Sequence, residues 1–282
     1  MGPRQLSGIG ALAVEWFEKL CEEYPQYPTV ALWRAWEMAL FSTVDFAAPV
    51  LDLGCGDGRI ARRLLGVSPE RRVVFGLDLD EGSARTAAST GFYAGALVAD
   101  ARSIPLAAGA FASLLSVCVL EHIPDVAQVL TEAHRVLKPG GLFAFSVPTD
   151  RLLAIAADSH PPAGAEYAHC FCDRVAHQNS WDLPTWTSAL ERAGLHVEQA
   201  AGFMPDEAAR AWFSVYDWVV KPVRGRGALY RVAGPGLRRF GLGHMLAGHW
   251  FRRLRRWAAE GVRAPLQQAG AMMLVARKPE AP

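Results

Sequence analysis

The stretch that decides the fold runs from Val50 to Gly58 and reads Val-Leu-Asp-Leu-Gly-Cys-Gly-Asp-Gly. A short apolar strand there leads directly into three glycines at alternate positions. Glycine has no Cβ atom, so a ligand can approach the backbone closely and the chain can adopt the positive φ angles of a tight turn. A helix that begins near Arg59 points its first N–H groups at the same place. The stretch therefore predicts a strand, a ligand-binding turn and a helix in succession.

Two kinds of fold place a glycine-rich turn after the first strand. The dinucleotide-binding fingerprint is Gly-x-Gly-x-x-Gly, whereas this chain has Gly-x-Gly-x-Gly with an acidic residue, Asp52, just before it. With Asp52 in place, the stretch resembles the first motif of the class I S-adenosylmethionine (SAM) dependent methyltransferases. A nicotinamide-dependent oxidoreductase is therefore only a remote alternative.

Four further stretches resemble later motifs of that family, in the same order. An apolar run ends in Asp78, about 20 residues after the glycines, where a Rossmann-like fold places the carboxylate that binds ribose hydroxyls. A third run ends in Asp100 and Ala101, similar to the family's adenine contact. Residues 111–125 resemble the fourth strand with its Leu-Glu-His-Ile turn, and residues 134–141 resemble the approach to the fifth strand.

The resemblance implies SAM as the cofactor and a set of residues that bind it. These are Asp52, Gly54, Cys55, Gly56, Asp78, Leu79, Asp100, Ala101, Ser116 and Val117, the last two through the backbone. Asp78 has a second interpretation, as the N-cap of a helix that begins near Glu81. Asp100 can also be a plain turn residue, and Cys55 a small side chain that fits between glycines.

Composition narrows the class of protein. No apolar run approaches the ~20 residues that cross a bilayer, and the first residues lack the pattern of a signal peptide, so a cytoplasmic protein is expected. Five cysteines in 282 residues are too few and too scattered for a disulfide framework. The cluster His169, Cys170, Cys172 and His177 lacks the paired spacing of structural zinc sites, and no metal is predicted.

The apolar pattern indicates an α/β fold with a Rossmann-like, seven-stranded sheet. From Val50 to Val147, short apolar runs alternate with helical stretches, which is typical of a parallel sheet with helices on both faces. Strands six and seven are expected at Leu195–Ala200 and Gly270–Ala276. The resemblance implies that this last pair is antiparallel, with the final strand beside the fifth.

Four segments are expected along the chain. Residues 1–47 form an N-terminal helical lid, residues 48–202 the SAM-binding core, residues 203–268 a helical insert between strands six and seven, and residues 269–282 the last strand and tail. The lid is predicted as two helices, and the family resemblance favours its closure over SAM, which would exclude water from the transfer.

The insert carries a segregated positive charge. Residues 203–268 contain 12 Arg and Lys against 4 Asp and Glu, a net of +8, which leaves −7 for the rest of a chain whose total is +1. Helical spacing over His244 to Glu260 places four apolar residues on one face and arginines on the other: Leu246, Trp250, Leu254 and Trp257, then Arg252, Arg255 and Arg256. Either this surface contacts an anionic membrane or a phosphate-bearing substrate, or its apolar side packs on the lid or on a second subunit.

The candidate catalytic residue is His122, in the turn after strand four. A neutral imidazole titrates near working pH and suits a general base; the alternative is that His122 orders the turn or a water near SAM. Secondary candidates are Tyr167, His169 and His177. They fall in the segment from His160 to Asn179, which is expected to be a loop over the acceptor pocket.

The sequence thus predicts a methyltransferase that acts on an O, N or C nucleophile of a small molecule, such as a bacterial secondary metabolite or an isoprenoid-type acceptor. One alternative is a SAM-binding enzyme that couples methylation to another reaction such as cyclisation, and another is a methyltransferase for a membrane-associated lipid. Val-Leu-Glu-His after strand four, in place of an Asn-Pro-Pro-Tyr motif, argues against a nucleic-acid partner. The sequence leaves open whether the protein forms a homodimer.

Overall fold

The computed structural model describes residues 8–25, 27–66, 74–220 and 243–280. The strands are β1 (Val50–Leu53), β2 (Val74–Asp78), β3 (Gly95–Val98), β4 (Phe111–Val117), β5 (Leu137–Pro148), β6 (His196–Pro205) and β7 (Ala269–Arg277). The helices before β5 are α1 (Ile9–Glu23), α2 (Pro28–Phe41), α3 (Arg59–Leu65), α4 (Glu81–Ser89) and α5 (Val126–Val136). Those after it are α6 (Asp150–Asp158), α7 (Gly164–Val175), α8 (Leu183–Arg192), α9 (Asp206–Val220) and α10 (Gly243–Glu260).

The seven strands form one sheet in the order β3-β2-β1-β4-β5-β7-β6. Strands β1 to β5 are parallel to one another, and β7 runs antiparallel to β5, with Phe145 opposite Leu274. The predicted α/β fold is therefore confirmed. The strand order reverses between β1 and β4, and in such sheets the ligand crevice lies outside the carboxyl ends of the strands at that point.

The chain divides into two compact units. The helical unit comprises the chain up to Thr43, Arg151–Phe171 and Gly202–Gly270, and the sheet unit comprises Val44–Asp150, Cys172–Ala201 and the chain from Ala271. The expected core of residues 48–202 differs from this division, because residues 151–171 belong to the helical unit. The physical reason is aromatic packing: the ring of Phe171 lies 5.2 Å from that of Phe213 on α9.

The apolar side of α10 packs inside the helical unit. Trp250, Leu254 and Ala258 are buried, and the ring of Phe251 lies 5.8 Å from that of Phe17 on α1. The exposed side carries arginines: Arg252, Arg253, Arg255 and Arg256. Trp250 and Leu254 of the predicted apolar face are thus covered within the helical unit, and contact of the arginines with an anionic surface stays a prediction. Residues 221–242 of the predicted insert, and the side chain of Leu246, lie outside the described residues.

The segment expected to be a loop after β5 is mostly helical. Residues Gly164–Val175 form α7, so the loop prediction for His160 to Asn179 is wrong over most of its length. Tyr167 and Phe171 are four residues apart and share a helix face, but the polar residues around them obscured this spacing. Among the helices that the structure describes, none has both the length and the apolarity that a bilayer-crossing segment needs.

We expect Leu254→Ala to destabilise the protein by about 2 to 5 kcal/mol, because it leaves a cavity beside the buried face of α10. The neighbouring Arg255→Ala removes only an exposed side chain and should change stability by less than about 0.5 kcal/mol. Urea unfolding of the full chain measures both. Equal stability of the two variants would contradict the internal packing of α10.

Candidate active site

A cavity of about 230 Å³ lies in the sheet unit, at the carboxyl ends of β1, β2, β3 and β4. Its wall includes five of the predicted cofactor residues and the predicted base: Gly54, Asp78, Leu79, Asp100, Ala101 and His122. The other lining residues are Leu53, Leu77, Ala99, Arg102, Cys118, Val119, Ile123 and Pro124. The motifs that lie far apart in sequence therefore meet at one cavity.

The glycine turn owes its shape to positive φ angles and close packing. Gly54 has a φ of +76°, and a Cβ atom there would come within 2.4 Å of the side chain of Val119. Gly56 has a φ of +53°, and a Cβ atom there would meet nothing within 4 Å. The absent side chain at Gly54 therefore lets β1 end against the turn after β4, whereas Gly56 leaves open space beside the turn.

Asp78 joins this turn to the end of β2. Its Oδ2 accepts a hydrogen bond from the N–H of Gly56 at 2.8 Å, and its Oδ1 accepts one from the N–H of Asp80 at 2.9 Å. The N-cap of α4 is Asp80, whose Oδ2 accepts from the N–H of Ser83 at 2.7 Å. The cap interpretation of Asp78 is thus wrong. Each carboxylate oxygen has a second lone pair, so Asp78 can still accept a hydrogen bond from a ligand in the cavity.

Asp100 lines the cavity together with Arg102, which the sequence analysis did not single out. The Nε–H of Arg102 donates to both carboxylate oxygens at 3.1 Å, and its Nη2 donates to Oδ2 at 2.7 Å. These hydrogen bonds lower the pKa of Asp100 below its usual range. Asp100 is therefore an ionised group with its guanidinium partner beside it. The only sequence signal for Arg102 is its position two residues further along the chain.

Asp52 does not line the cavity. It is 4% exposed, and its Oδ2 accepts a hydrogen bond from the hydroxyl of Tyr93 at 2.6 Å. Burial raises the pKa of Asp52 to about 7, against the lowering effect of the Tyr93 hydrogen bond. The ring of Tyr93 in turn occupies the space that a side chain at Gly58 would need. The acidic residue of the first motif therefore lies behind the turn, and nothing in the sequence pointed to Tyr93.

Four other predicted cofactor residues also lie outside the cavity wall: Cys55, Gly56, Ser116 and Val117. Burial raises the pKa of the Cys55 thiol to about 12, so it is a packed, protonated side chain. The hydroxyl of Ser116 donates to the carbonyl of Leu53 at 2.9 Å and joins β4 to β1. Cys118, the residue after Ser116 and Val117, does line the cavity. Its φ of +51° turns the chain at the end of β4.

His122 lies in a single 3₁₀ turn, Leu120–His122, and its side chain is 41% exposed. Its Nδ1 is 3.2 Å from the carbonyl oxygen of Ala176. A carbonyl only accepts hydrogen bonds, so Nδ1 carries the hydrogen and Nε2 of the neutral ring keeps its lone pair. The ring of His177 lies 5.2 Å from that of His122. Burial lowers the pKa of His177 to about 4, and the nearby charge of protonated His122 adds to this.

Backbone and amide hydrogen bonds hold these two histidines near each other. The N–H groups of Gln178 and Asn179 donate to the carbonyl of Glu121 at 2.6 and 3.2 Å. The side-chain amide of Asn179 donates to the carbonyls of Leu120 and Ile123, both at 2.8 Å. The segment after α7 is thereby joined to the turn after β4, which no sequence pattern indicated.

The remaining candidates, Tyr167 and His169, belong to the helical unit. The hydroxyl of Tyr167 donates to Oδ1 of Asp217 at 2.5 Å, and Nε2 of His160 lies 2.5 Å from the other oxygen of that carboxylate. His169 is exposed on α7. A catalytic role for these two residues stays a prediction.

We expect Asp52→Asn to alter the pH dependence of stability. The folded state holds the Asp52 proton up to about pH 7, whereas the ordinary pKa is 3.8. The folded state therefore binds more protons in this window, and the wild-type chain loses stability as pH rises through it. Asparagine keeps an acceptor for Tyr93 but does not titrate.

The measurement is urea unfolding of both proteins between pH 4 and pH 8. The stability of Asp52→Asn relative to wild type should grow between pH ~4 and ~7, by about 1.4 kcal/mol per pKa unit, and then level off. Asp45→Asn, at an exposed carboxylate of the same unit, is the control, and its stability should follow the pH dependence of the wild-type protein. A constant difference for Asp52→Asn would contradict the buried, protonated carboxyl.

Comparisons with known proteins identify relatives of this chain. Residues 51–145 match a family model described as "Methyltransferase domain". The chain is 30% identical over 203 residues to the ubiquinone biosynthesis O-methyltransferase of Bordetella pertussis, which covers 68% of this chain and 79% of that relative.

Solved structures of low identity share the fold. An S-adenosylmethionine-dependent methyltransferase of Mesorhizobium loti superposes with a TM-score of 0.50 at 19% identity, over 86% of this chain and 95% of its own. The cyclase SpnF superposes with a TM-score of 0.51 at 18% identity, over 87% of this chain and 80% of its own. The sheet order, the motif residues at one cavity and these relatives together establish that the chain belongs to the class I SAM-dependent methyltransferases.

Proposed function

We propose that this methyltransferase transfers the methyl group of SAM to a nucleophilic oxygen of a small molecule, with nitrogen and carbon acceptors as the other outcomes of a product analysis. The observation that carries the proposal is the cavity itself, which has two carboxylates on its wall and an imidazole whose Nε2 keeps a lone pair. The similarity to a ubiquinone biosynthesis O-methyltransferase supports oxygen as the acceptor atom.

The residues at the cavity fit SAM. The Asp78 carboxylate, half-buried and with spare lone pairs, suits the two hydroxyls of a ribose. Asp100 and the backbone of Ala101, on the same wall, suit the polar edge of adenine. When bound, SAM supplies a methyl group already activated on a positively charged sulfur. The protein then has to bind, orient, exclude water and manage one proton.

The position of His122 supports a role in handling that proton. It is on the cavity wall, its Nδ1–H is held by the Ala176 carbonyl, and its Nε2 is the nitrogen that can accept. A general base must come within hydrogen-bond reach of the proton it removes, and the ring of His122, 41% exposed on the cavity wall, is accessible to an acceptor there. Orientation of the acceptor is the other role open to it.

We expect Asp78→Ala to weaken SAM binding by about 1 to 3 kcal/mol, since it removes hydrogen bonds to a charged group. Isothermal titration of the purified protein measures this, and thermal melting checks that the variant is folded. Asp80→Asn, which retains an acceptor for the helix cap, is the matched control and should bind SAM normally. Unchanged affinity of Asp78→Ala would rule out the ribose assignment. A parallel titration with NAD should give no heat.

We expect His122→Ala to lower kcat by roughly 10² to 10⁴, the range for loss of a positioned acid–base group. Turnover is followed as S-adenosylhomocysteine formed with hydroxylated quinone precursors and related phenols as acceptors. His196→Ala, which removes an exposed histidine of the same unit, is the control and should leave kcat unchanged. If kcat falls less than tenfold, His122 is not the base and its role is to order its turn.

A further inference from the structure

Three potential metal ligands meet beside the cavity in the sheet unit. They are Glu121, His122 and His177, and one ligand atom from each lies within 4.8 Å of the other two. Glu121 is 1% exposed and His122 is on the cavity wall, so the cluster reaches from the protein interior to the cavity. His177 comes from a segment 55 residues away in sequence, and therefore the spacing of motifs could not reveal the cluster.

A second observation concerns how the ligand atoms are oriented. A metal-bound histidine almost always donates its other ring N–H to a carbonyl or carboxylate, which fixes the tautomer and the ring. His122 has this arrangement, with Nδ1 at 3.2 Å from the Ala176 carbonyl and Nε2 at 3.8 Å from Oε1 of Glu121. The hydrogen bonds from Gln178 and Asn179 to the carbonyl of Glu121 hold the two segments in place. The site is thus supported by contacts of its own.

We propose that Glu121, His122 and His177 bind one divalent transition-metal ion of the zinc class, whose open position binds the acceptor hydroxyl in the cavity. The second part of this proposal rests on the proposed function. Two imidazoles and one carboxylate suit zinc, cobalt or iron better than magnesium or calcium, which prefer oxygen ligands. Three protein ligands with one open position is the pattern of catalytic rather than structural zinc sites.

The distances are compatible with one ion after small side-chain movements. Tetrahedral coordination with bonds of 2.0 to 2.2 Å places ligand atoms about 3.4 Å apart. Nε2 of His122 lies 3.8 Å from Oε1 of Glu121, which is too long for a hydrogen bond and slightly too long for two ligands of one ion. Side-chain rotations that move each ligand atom by about 1 Å or less bring all three within bonding distance of one ion.

The ion would take over the activation of the acceptor. A hydroxyl bound to such an ion has a lowered pKa and loses its proton to solvent water. The oxygen lone pair then forms the O–CH₃ bond as the S–CH₃ bond breaks, and the electron pair of that bond stays on sulfur. The products are the methyl ether and S-adenosylhomocysteine, with the ion unchanged. His122 then orients the acceptor through the ion and does not itself take the proton.

The test uses the full chain, stripped of metal by a chelator and titrated with Co²⁺ in the absence of SAM and acceptor. We expect one Co²⁺ per chain, with the visible absorption of a four- or five-coordinate ion, and displacement by Zn²⁺. His177→Ala and the isosteric Glu121→Gln should each weaken Co²⁺ binding at least about 100-fold. His169→Ala, at an exposed histidine outside the cluster, should bind Co²⁺ like wild type.

Failure to bind Co²⁺, or binding that both cluster variants leave unchanged, would overturn the metal site. If Glu121→Gln folds, as judged by thermal melting, its affinity decides the question even where His177→Ala does not fold. Methyl transfer that requires added Zn²⁺ supports the acceptor role, and full-rate transfer by the stripped protein would overturn it. Because Co²⁺ binding is measured without SAM, a failure of the metal site is distinguishable from a failure of the proposed methyl transfer.

Discussion

The carboxylate of Asp78 is the group on which the site depends. It accepts hydrogen bonds from the N–H of Gly56 and of Asp80, and the N–H groups of Gly54 and Cys55 both donate to the carbonyl of Leu77 just before it. These bonds hold the turn after β1 against the end of β2. Without them, the positive φ angles of the glycines would be only one of many conformations that a flexible turn can adopt. The contact between this turn and the end of β2 thus positions Gly54 and Asp78 in the cavity wall.

The sequence was sufficient to predict the sheet, because the patterns that indicate its strands are local. Apolar runs, glycines and the acidic residues after β2 and β3 lie within single strand-turn-helix units, and right-handed crossovers then limit the topology. It was not sufficient where a side chain meets a distant partner. Tyr93, which binds Asp52, and His177, which lies beside His122, are positioned by tertiary contacts that leave no periodic pattern. For the same reason the sequence predicts a loop where the structure has the helix α7.

Charge around the turn is arranged in two layers. Asp78 and Asp100 are on the cavity wall, and Arg102 keeps Asp100 ionised. Asp52 lies behind them with its pKa raised to about 7 by burial. Burial disfavours the ionised form of Asp52, so the ionised carboxylate of Asp100 lies on the cavity wall while Asp52, hydrogen-bonded by Tyr93, lies behind it.

Asn179 has a consequence for the redesign of the enzyme. Its amide bonds two carbonyls of the turn that carries His122, while its own backbone bonds the carbonyl between them. The chain after α7 and the turn after β4 are therefore joined to each other. A chimera whose exchanged segment lacks an amide at position 179 would remove the side-chain donor from the carbonyls of Leu120 and Ile123. Grafts intended to change the acceptor should transfer both segments together.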